Sequence, residues 1–393
     1  MLDVRHQFPF FSEHQELVYL DNASTTQKPQ RVLDAIDQFY RTENANSGRG
    51  SYPLATQTTN KLERTRELVR SFINADKPSE IFFSRGATDA FNQLAWQIGI
   101  TSLQTGDEIL YCPLDHASFV GPLHKMCSYL QSQGITVNLV PVGIRRTGGV
   151  DISDLREKAN DKTKLVWVTH VHNVFGANSD IAEIRPLLKN KAIPIILDAT
   201  QSVGHCTVDV QALDVDVLVA AGHKMFAGAG IGFVYARERS TSTSPLFPFF
   251  VGGGTGTEPG TLDLAGIASL EAAIHYIQEI GTETIHEHLS ELTQYTLKEV
   301  RTLPNVEFVP GAHYWPCQDG LGILSFKLRN LNAMEVGFLL ADTNICVRTG
   351  EHCLFQPNEY ADTIRVSMHI YNNIADIDRL VQSLHTITKS LQI

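Results

Sequence analysis

The stretch DVLVAAGHKMFAGAG, from Asp216 to Gly230, joins an apolar run to a short polar segment. Its first half is almost uniformly apolar, as in a strand buried on both faces. The run ends on Gly222, His223 and Lys224. A lysine at the end of a buried strand loses hydration, which lowers its pKa and makes Lys224 a candidate for Schiff-base formation. A lysine that extends into solvent would fit the same pattern.

Five further apolar runs precede or follow this stretch and alternate with amphipathic segments. The six runs are EIFFS (80–84), DEILYCP (107–113), KLVWVTHVH (164–172), AIPIILDAT (192–200), VDVLVAAGHK (215–224) and GIGFVYAR (230–237). Such alternation predicts an α/β fold with a mainly parallel sheet. Because ligands gather at the carboxyl ends of parallel strands, the polar residues that end these runs are the first candidates for a site.

The pattern changes after the glycine-rich segment 250–261. Helical periodicity covers 264–281, 283–303 and 375–391, and strand patterns cover 321–328 and 363–370. A chain of 393 residues exceeds the size at which a single core stops growing, so a second domain is expected. We predict a large α/β domain over 21–255 and a smaller α+β domain formed by 1–20 and 256–393.

Composition excludes several classes of partner. The chain is 43% hydrophobic and 19% charged, and its net charge of −11 comes without a Lys/Arg block. This balance disfavours nucleic acids and membranes, and favours a small molecule or another protein as partner. Six cysteines without a CxxC pair, and an N-terminus without an apolar signal core, predict a cytoplasmic protein. The segment IHEHLSE is not HExxH, so no metal site is predicted.

Two segments could meet Lys224 at one end of the sheet. Asp198 closes the run 192–200, where a buried carboxylate needs a cation such as a protonated pyridine nitrogen, although it could instead cap the next helix. In RGATDAFN, Gly86 permits a tight turn and Thr88 can cap, so the helix that follows could bind a phosphate with its free N–H groups. An ordinary capped helix would have the same sequence.

Three more residues have types suited to binding or catalysis. His116 follows a strand and could stack on an aromatic ring, or form ordinary surface hydrogen bonds. Arg365 could bind a carboxylate bidentately or form a structural ion pair. Cys353 lies beside His352 and near Arg348, which, when cationic, would lower the pKa of its thiol.

Taken in order, these segments resemble the class V aminotransferase family of fold type I pyridoxal-phosphate enzymes, most closely the group II cysteine desulfurases and selenocysteine lyases. The motifs that carry the resemblance are YLDNASTTQKP, RGATDAFN, THVHNVFG, LDATQSVGH, AGHKMFAGAGIG, GTLDLAG, VRTGEHC and RVSMHIYN. They span nearly the whole chain. The fold that the resemblance implies is a large domain with a mainly parallel sheet and a smaller C-terminal α+β domain.

The resemblance implies pyridoxal 5'-phosphate as cofactor, with Lys224 as its covalent attachment. The other implied cofactor contacts are His223, Ala87 and Thr88 at the phosphate, Asp198 at the ring nitrogen, Gln201 at the ring hydroxyl, His116 on the ring face, Asn173, and Thr261 on the phosphate of the neighbouring subunit. The contact of Thr261 implies a homodimer with shared sites.

The resemblance also implies a substrate and a reaction. Arg365 and Asn173 would orient the carboxylate of L-cysteine or a related amino acid, and Arg348 lies in the same loop as Cys353. The implied reaction is desulfuration of L-cysteine to L-alanine, with sulfur held as a persulfide on Cys353 and passed to an acceptor protein. Lys224, Cys353 and His116 are the implied catalytic residues. A lyase acting on selenocysteine or cysteine sulfinate, an aminotransferase, and a catalytically silent binding protein remain alternatives.

Four departures from the family pattern affect these implications. Ala221 replaces a phosphate-binding serine, Gly48 replaces a histidine, and Glu351 replaces a histidine near Cys353, where an acid would oppose a low thiol pKa. The segment 251–260 is roughly twenty residues shorter than is usual in group II enzymes, and in the family this segment helps to cover the partner's site.

Overall fold

The computed structural model describes residues 2–48, 50–190, 192–238, 260–309, 320–357 and 360–390. The strands are β1 (Val18–Tyr19), β2 (Ile81–Ser84), β3 (Glu108–Tyr111), β4 (Asn138–Pro141), β5 (Thr163–Thr169), β6 (Ile195–Asp198), β7 (Val217–Ala221), β8 (Gly232–Ala236), β9 (Val306–Val309), β10 (Ile323–Leu328), β11 (Ile345–Cys346), β12 (Arg348–Gly350) and β13 (Thr363–Ser367). The α-helices are α1 (Pro9–Glu13), α2 (Gln30–Gln38), α3 (Pro53–Phe72), α4 (Ala87–Ser102), α5 (Ala117–Ser132), α6 (Ile152–Lys158), α7 (Ile184–Leu187), α8 (Leu264–Ile280), α9 (Thr282–Val300), α10 (Ala333–Ala341) and α11 (Ile374–Ser390).

Seven strands form the large sheet, in the order β2-β8-β7-β6-β5-β3-β4. The neighbours from β7 to β4 are parallel, and β8 runs antiparallel to both β2 and β7. Each of the six predicted apolar runs coincides with one of these strands, and only β5 begins one residue before its run, which confirms the mainly parallel α/β fold. Sequence analysis missed β4, because this edge strand is half-buried at its centre and exposed at its ends.

Helices cover both faces of the large sheet. Along β5, Leu165 and Trp167 face the core under α4 and α5, while Val166 and Val168 face the core under α2, α3 and α8. Successive side chains of a strand point to opposite faces, so a strand between two helical layers must be apolar at every position. The indole N–H of Trp167 donates to the carbonyl of Phe119 at 3.0 Å.

A second, antiparallel sheet has the order β12-β13-β10-β9, and β1 pairs in parallel with β11. The predicted strands at 321–328 and 363–370 correspond to β10 and β13, and the three predicted C-terminal helices are α8, α9 and α11. The division into domains 21–255 and 1–20 with 256–393 stays a prediction, and its boundary lies outside the described residues. None of the described helices has the length and apolar character to cross a membrane.

Candidate active site

A cavity of about 500 Å3 lies at the carboxyl ends of β3, β5, β6 and β7, where parallel sheets place their ligands. Most of the predicted site residues line this cavity. Those that line it are Ala87, Thr88, His116, Asn173, Asp198, Gln201, His223, Lys224, Arg348 and Arg365.

Lys224 ends a short 3-10 helix, Gly222–Lys224, that follows directly from β7. Its side chain lines the cavity and does not extend freely into solvent. Burial lowers the pKa of Lys224 to about 8, and the carboxylate of Asp198 partly opposes this shift. With that pKa roughly one-tenth of the amine is neutral at pH 7, which supplies a nucleophile.

Asp198 is the last residue of β6 and is buried. Its Oδ1 accepts a hydrogen bond from the backbone N–H of Thr200 at 2.9 Å and another from the Thr200 hydroxyl. Burial raises the pKa of Asp198, while the Thr200 hydrogen bonds and the charge of Lys224 lower it. Residues 200–205 form turns, so the carboxylate caps a turn rather than a helix and also faces the cavity.

The N-terminus of α4 forms another wall of the cavity, through Ala87 and Thr88. Gly86 precedes the helix with φ +122 and ψ 177, a conformation that residues with a side chain rarely adopt. The 16-residue helix presents free N–H groups and the positive end of its dipole at this point. The arrangement suits an anionic group such as a phosphate.

His116 precedes α5, and its ring caps the helix. The Nδ1 atom accepts from the backbone N–H of Ser118 at 3.1 Å and lies 2.7 Å from the Ser118 hydroxyl. Burial, with the charges of Lys224, Arg348 and Arg365, lowers the pKa of His116 to about 3. The imidazole is therefore neutral at pH 7, as a ring that stacks on an aromatic ligand should be.

Arg365 and Arg348 face each other across the β12–β13 ladder. The buried guanidinium of Arg365 donates to the carbonyl of Asn173 at 3.1 Å, to Asp21 at 2.9 Å and to Ser24 at 2.8 Å. Arg348 donates to the same hydroxyl of Ser24 at 2.9 Å. Two cations placed this closely favour an anion between them.

Cys353 lies at the surface, in a loop that is fixed from two sides. Its carbonyl accepts from the backbone N–H of Ala117 at 2.7 Å, and Asn173 donates to the carbonyl of His352 at 3.0 Å. Both His352 and Cys353 have positive φ, 51 and 58, so the surroundings hold the loop in a strained conformation. The guanidinium of Arg348 donates to the Cys353 sulfur at 2.9 Å and joins the thiol to the cavity.

His352 does not have the cationic role expected from its position in the sequence. Its ring is buried, and its Nε2 lies 2.6 Å from the Thr363 hydroxyl. Burial and the charges of Arg365 and Arg348 lower its pKa to about 3. The cation beside the Cys353 thiol is therefore Arg348.

Thr261 lies apart from the other predicted residues. It is exposed and lines a second cavity of about 500 Å3, which shares Arg85, Asp89 and Gly230 with the Lys224 cavity, whereas Thr261 itself does not line the Lys224 cavity. Its predicted role toward a neighbouring subunit stays a prediction. Of the departures, Ala221 lines the Lys224 cavity with a methyl group, whereas Glu351 is exposed and the shortened segment 251–260 lies almost wholly outside the described residues.

Sequence analysis gave no role to several polar residues of the cavity. Among these are Ser24, Thr25, Arg85, Ser118, Thr169 and Thr200. For Ser24 and Thr25 the sequence feature that could have indicated a role is YLDNASTTQKP, a run with small and hydroxyl residues that begins at the end of β1. It predicts polar contacts, but their partners lie on strands of the small sheet and in turns that follow strands of the large sheet, so they cannot be read from local sequence.

Comparison with known proteins agrees with this geometry. The family model for aminotransferase class V matches residues 18–380. The chain is 34% identical to a probable cysteine desulfurase of Synechocystis, covering 97% of this chain and 94% of that one. It is 33% identical to a cysteine desulfurase of Cronobacter sakazakii, covering 99% and 98% of the two chains. The apo structure of a cysteine desulfurase from Thermococcus onnurineus NA1 superposes with a TM-score of 0.88 at 29% identity, covering 99% and 98%. The chain belongs to the class V aminotransferase family.

Proposed function

We propose that this protein is a pyridoxal-phosphate-dependent cysteine desulfurase, which converts L-cysteine to L-alanine and holds the sulfur as a persulfide on Cys353. The observation that carries the proposal is the hydrogen bond from Arg348 to the Cys353 sulfur at the cavity that contains Lys224. An amine suited to Schiff-base chemistry and a thiol paired with a cation are thereby brought to one site. The relatives named cysteine desulfurase support the same activity.

The residues present fit the cofactor. The Oε1 atom of Gln201 is buried and has no hydrogen-bond partner in the described part of the chain, so it can interact with a ring hydroxyl. Asp198 offers a carboxylate to a ring nitrogen, and the neutral ring of His116 offers a stacking face. Ala87 and Thr88 at the start of α4 can hold a phosphate, whereas Ala221 offers it no hydroxyl. These contacts, like the covalent bond to Lys224, are part of the proposal.

When bound, pyridoxal phosphate supplies the electron sink that stabilises negative charge at the substrate Cα. Arg365 binds the substrate carboxylate in place of Asp21, and Asn173 supports Arg365 through its carbonyl oxygen. The free amine of Lys224 would remove the Cα proton, because its lowered pKa leaves it able to act as a base near neutral pH.

Cys353, whose sulfur is held by the hydrogen bond from Arg348, attacks the substrate sulfur. An S–S bond forms as the Cβ–S bond of the substrate breaks, and Cβ keeps the electron pair of that bond. Cβ then takes up one proton, which balances the proton lost by the Cys353 thiol, and Cα regains the proton that Lys224 removed, so that alanine leaves. The products are therefore one alanine and one persulfide per cysteine, without an external oxidant or reductant.

We also propose a sulfur-accepting partner, a homodimer and a cytoplasmic location. Cys353 is exposed, so an acceptor protein can approach its persulfide. Thr261 of one subunit would contact the phosphate held by the other, which makes the active form a homodimer. A cytoplasmic location agrees with the five free thiols among the described cysteines.

The test is to incubate purified protein with L-cysteine and to measure alanine and the mass of the peptide that contains Cys353. We expect alanine together with a mass increase of one sulfur atom. Cys353→Ser should abolish the persulfide and reduce alanine formation by about a hundredfold or more, while the visible band of bound cofactor remains. Turnover that survives in Cys353→Ser would instead indicate a selenocysteine or cysteine-sulfinate lyase or an aminotransferase.

A further inference from the structure

Lys28 is a half-buried lysine that the proposed reaction does not use. It lies in the segment 21–28 that follows β1. Its Nζ atom donates to the carbonyl of His223 at 3.1 Å and also to the carbonyl of Thr26. A lysine needed for solubility alone would extend its ammonium into water. This one directs its charge toward two backbone oxygens inside the protein.

The carbonyl of His223 accepts hydrogen bonds from several donors. The backbone N–H of Thr26 donates to it at 3.0 Å, the Thr26 hydroxyl at 3.1 Å and the Thr25 hydroxyl at 3.2 Å, besides Lys28. This carbonyl belongs to the peptide that joins His223 to Lys224. Since a peptide is planar, fixing the direction of its carbonyl also fixes the N–Cα bond of Lys224. The 3-10 turn, closed by a hydrogen bond from the Met225 N–H to the Gly222 carbonyl at 2.9 Å, restricts the remaining rotation about that bond and so the direction of the Lys224 side chain.

The turn after Lys224 needs such support because its backbone is strained. Phe226 has φ +71, which is rare for a bulky residue and persists only where surroundings enforce it. Its N–H donates to the Thr26 hydroxyl at 3.0 Å. The enforcing segment is itself anchored, because Ala23 donates to Ser367 at 2.9 Å and Gln27 donates to the Tyr371 hydroxyl at 2.9 Å.

We propose that Lys28 is a positioning residue, which binds the carbonyl of His223 and thereby aims the Lys224 amine into the cavity. The proposal rests on the proposed function in one respect, namely that Lys224 is the residue that binds the cofactor. Lys28 supplies a charged donor, and charge-assisted hydrogen bonds are stronger than neutral ones. Burial lowers the pKa of Lys28 to about 8, so the ammonium form still predominates at pH 7.

The experiment compares Lys28→Met, Lys28→Arg and, as a matched control, Lys389→Met, an exposed lysine near the end of α11. Two quantities are measured in cofactor-free protein. The first is the dissociation constant of pyridoxal phosphate, and the titration that gives it also yields the visible spectrum of the complex. The second is the rate at which an acylating reagent labels Lys224 before cofactor is added, followed by peptide mass spectrometry. Circular dichroism and the thermal midpoint report whether each variant folds.

For Lys28→Met we expect a dissociation constant raised about tenfold, a shifted visible maximum and a labelling rate changed at least about threefold at pH 8. Lys28→Arg should recover part of each change because it keeps the charged donor, and Lys389→Met should match the parent. The proposal is overturned if Lys28→Met lowers the thermal midpoint but leaves the dissociation constant and labelling rate at parental values. Failure of the proposed function would be separate, since it appears as absence of alanine from the parent protein.

Discussion

The acid–base behaviour of Lys224 follows from its burial, and it can be measured without cofactor. Because the pKa of Lys224 is lowered to about 8, we expect the rate of its acylation in cofactor-free protein to rise with pH around a midpoint near 8. The exposed Lys389 provides the reference rate of labelling in the same sample. Peptide mass spectrometry after timed labelling gives both rates in one sample.

Asp198→Asn tests the direction in which the charge of Asp198 shifts the pKa of Lys224. The carboxylate of Asp198 raises the pKa of Lys224 against the larger effect of burial, so its removal should move the labelling midpoint below 8. A midpoint that moved upward would show that Asp198 does not act on Lys224 through its charge.

The lowered pKa of Lys224 also affects stability, because between about pH 8 and 10.5 the folded state binds fewer protons at this residue than the unfolded state. Below pH 8, burial of the Lys224 ammonium lowers the free energy of unfolding by its full amount. This loss becomes smaller as the pH rises from 8 toward 10.5, the ordinary pKa of a lysine.

At the scale of elements, the start of α4 depends on one backbone conformation. Gly86→Ala introduces a Cβ into open space, but at φ +122 the residue itself is strained. We expect the first turn of α4 to shift, which lowers the free energy of unfolding by about 1–3 kcal/mol and weakens cofactor binding about tenfold or more. Equilibrium denaturation and a pyridoxal-phosphate titration measure the two effects.

Gly106→Ala is the matched control for this prediction. Gly106 also has positive φ, +93, and open space around its Cα, but it lies in the turn between α4 and β3, and the lining of the Lys224 cavity does not include it. Gly106→Ala should therefore lower the free energy of unfolding and leave the dissociation constant of pyridoxal phosphate at its parental value. Equal affinity losses in both variants would mean that backbone strain anywhere, rather than the geometry of α4, controls binding.

The elements that could be predicted from sequence are those whose pattern is local. The strands β5, β6 and β7 are buried on both faces, so their apolar runs identify them and place Asp198 and Lys224 at strand ends. The short strands β1, β11 and β12 span two or three residues each, too few for a pattern. They exist because distant segments pair with them, and such pairing leaves no local signal.

At the scale of the whole molecule, the proposed chemistry requires both sheets. The large sheet supplies Lys224 and Asp198, and the small sheet supplies Arg348 and Arg365. The segment 21–28 contacts both, through Arg365 on one side and the carbonyl of His223 on the other. The residues of each sheet are predictable from the sequence, whereas this connection depends on hydrogen bonds between segments far apart in the chain and leaves no local pattern.

The proposed homodimer predicts that Thr261 serves the site of the other subunit. Thr261→Val should raise the dissociation constant of pyridoxal phosphate about tenfold or more, because one hydrogen bond to a charged phosphate is lost. Lys224→Ala should lose the covalent attachment and the visible band. Each homodimer then has two defective sites, whether Thr261 acts within its own subunit or across the interface.

Mixed dimers of Thr261→Val and Lys224→Ala subunits, isolated with two different affinity tags, separate these possibilities. If Thr261 acts across the interface, the site with an intact Lys224 receives an intact Thr261 from the other subunit. Titration should then give one site per dimer with the parental dissociation constant and visible band. If Thr261 acts within its own subunit, no site in the mixed dimer is intact, and the remaining visible band should show the weakened affinity of Thr261→Val. The latter result would contradict the shared site, and it would require Thr261 to reach the phosphate from the adjoining cavity of its own chain, which meets the Lys224 cavity at Arg85, Asp89 and Gly230.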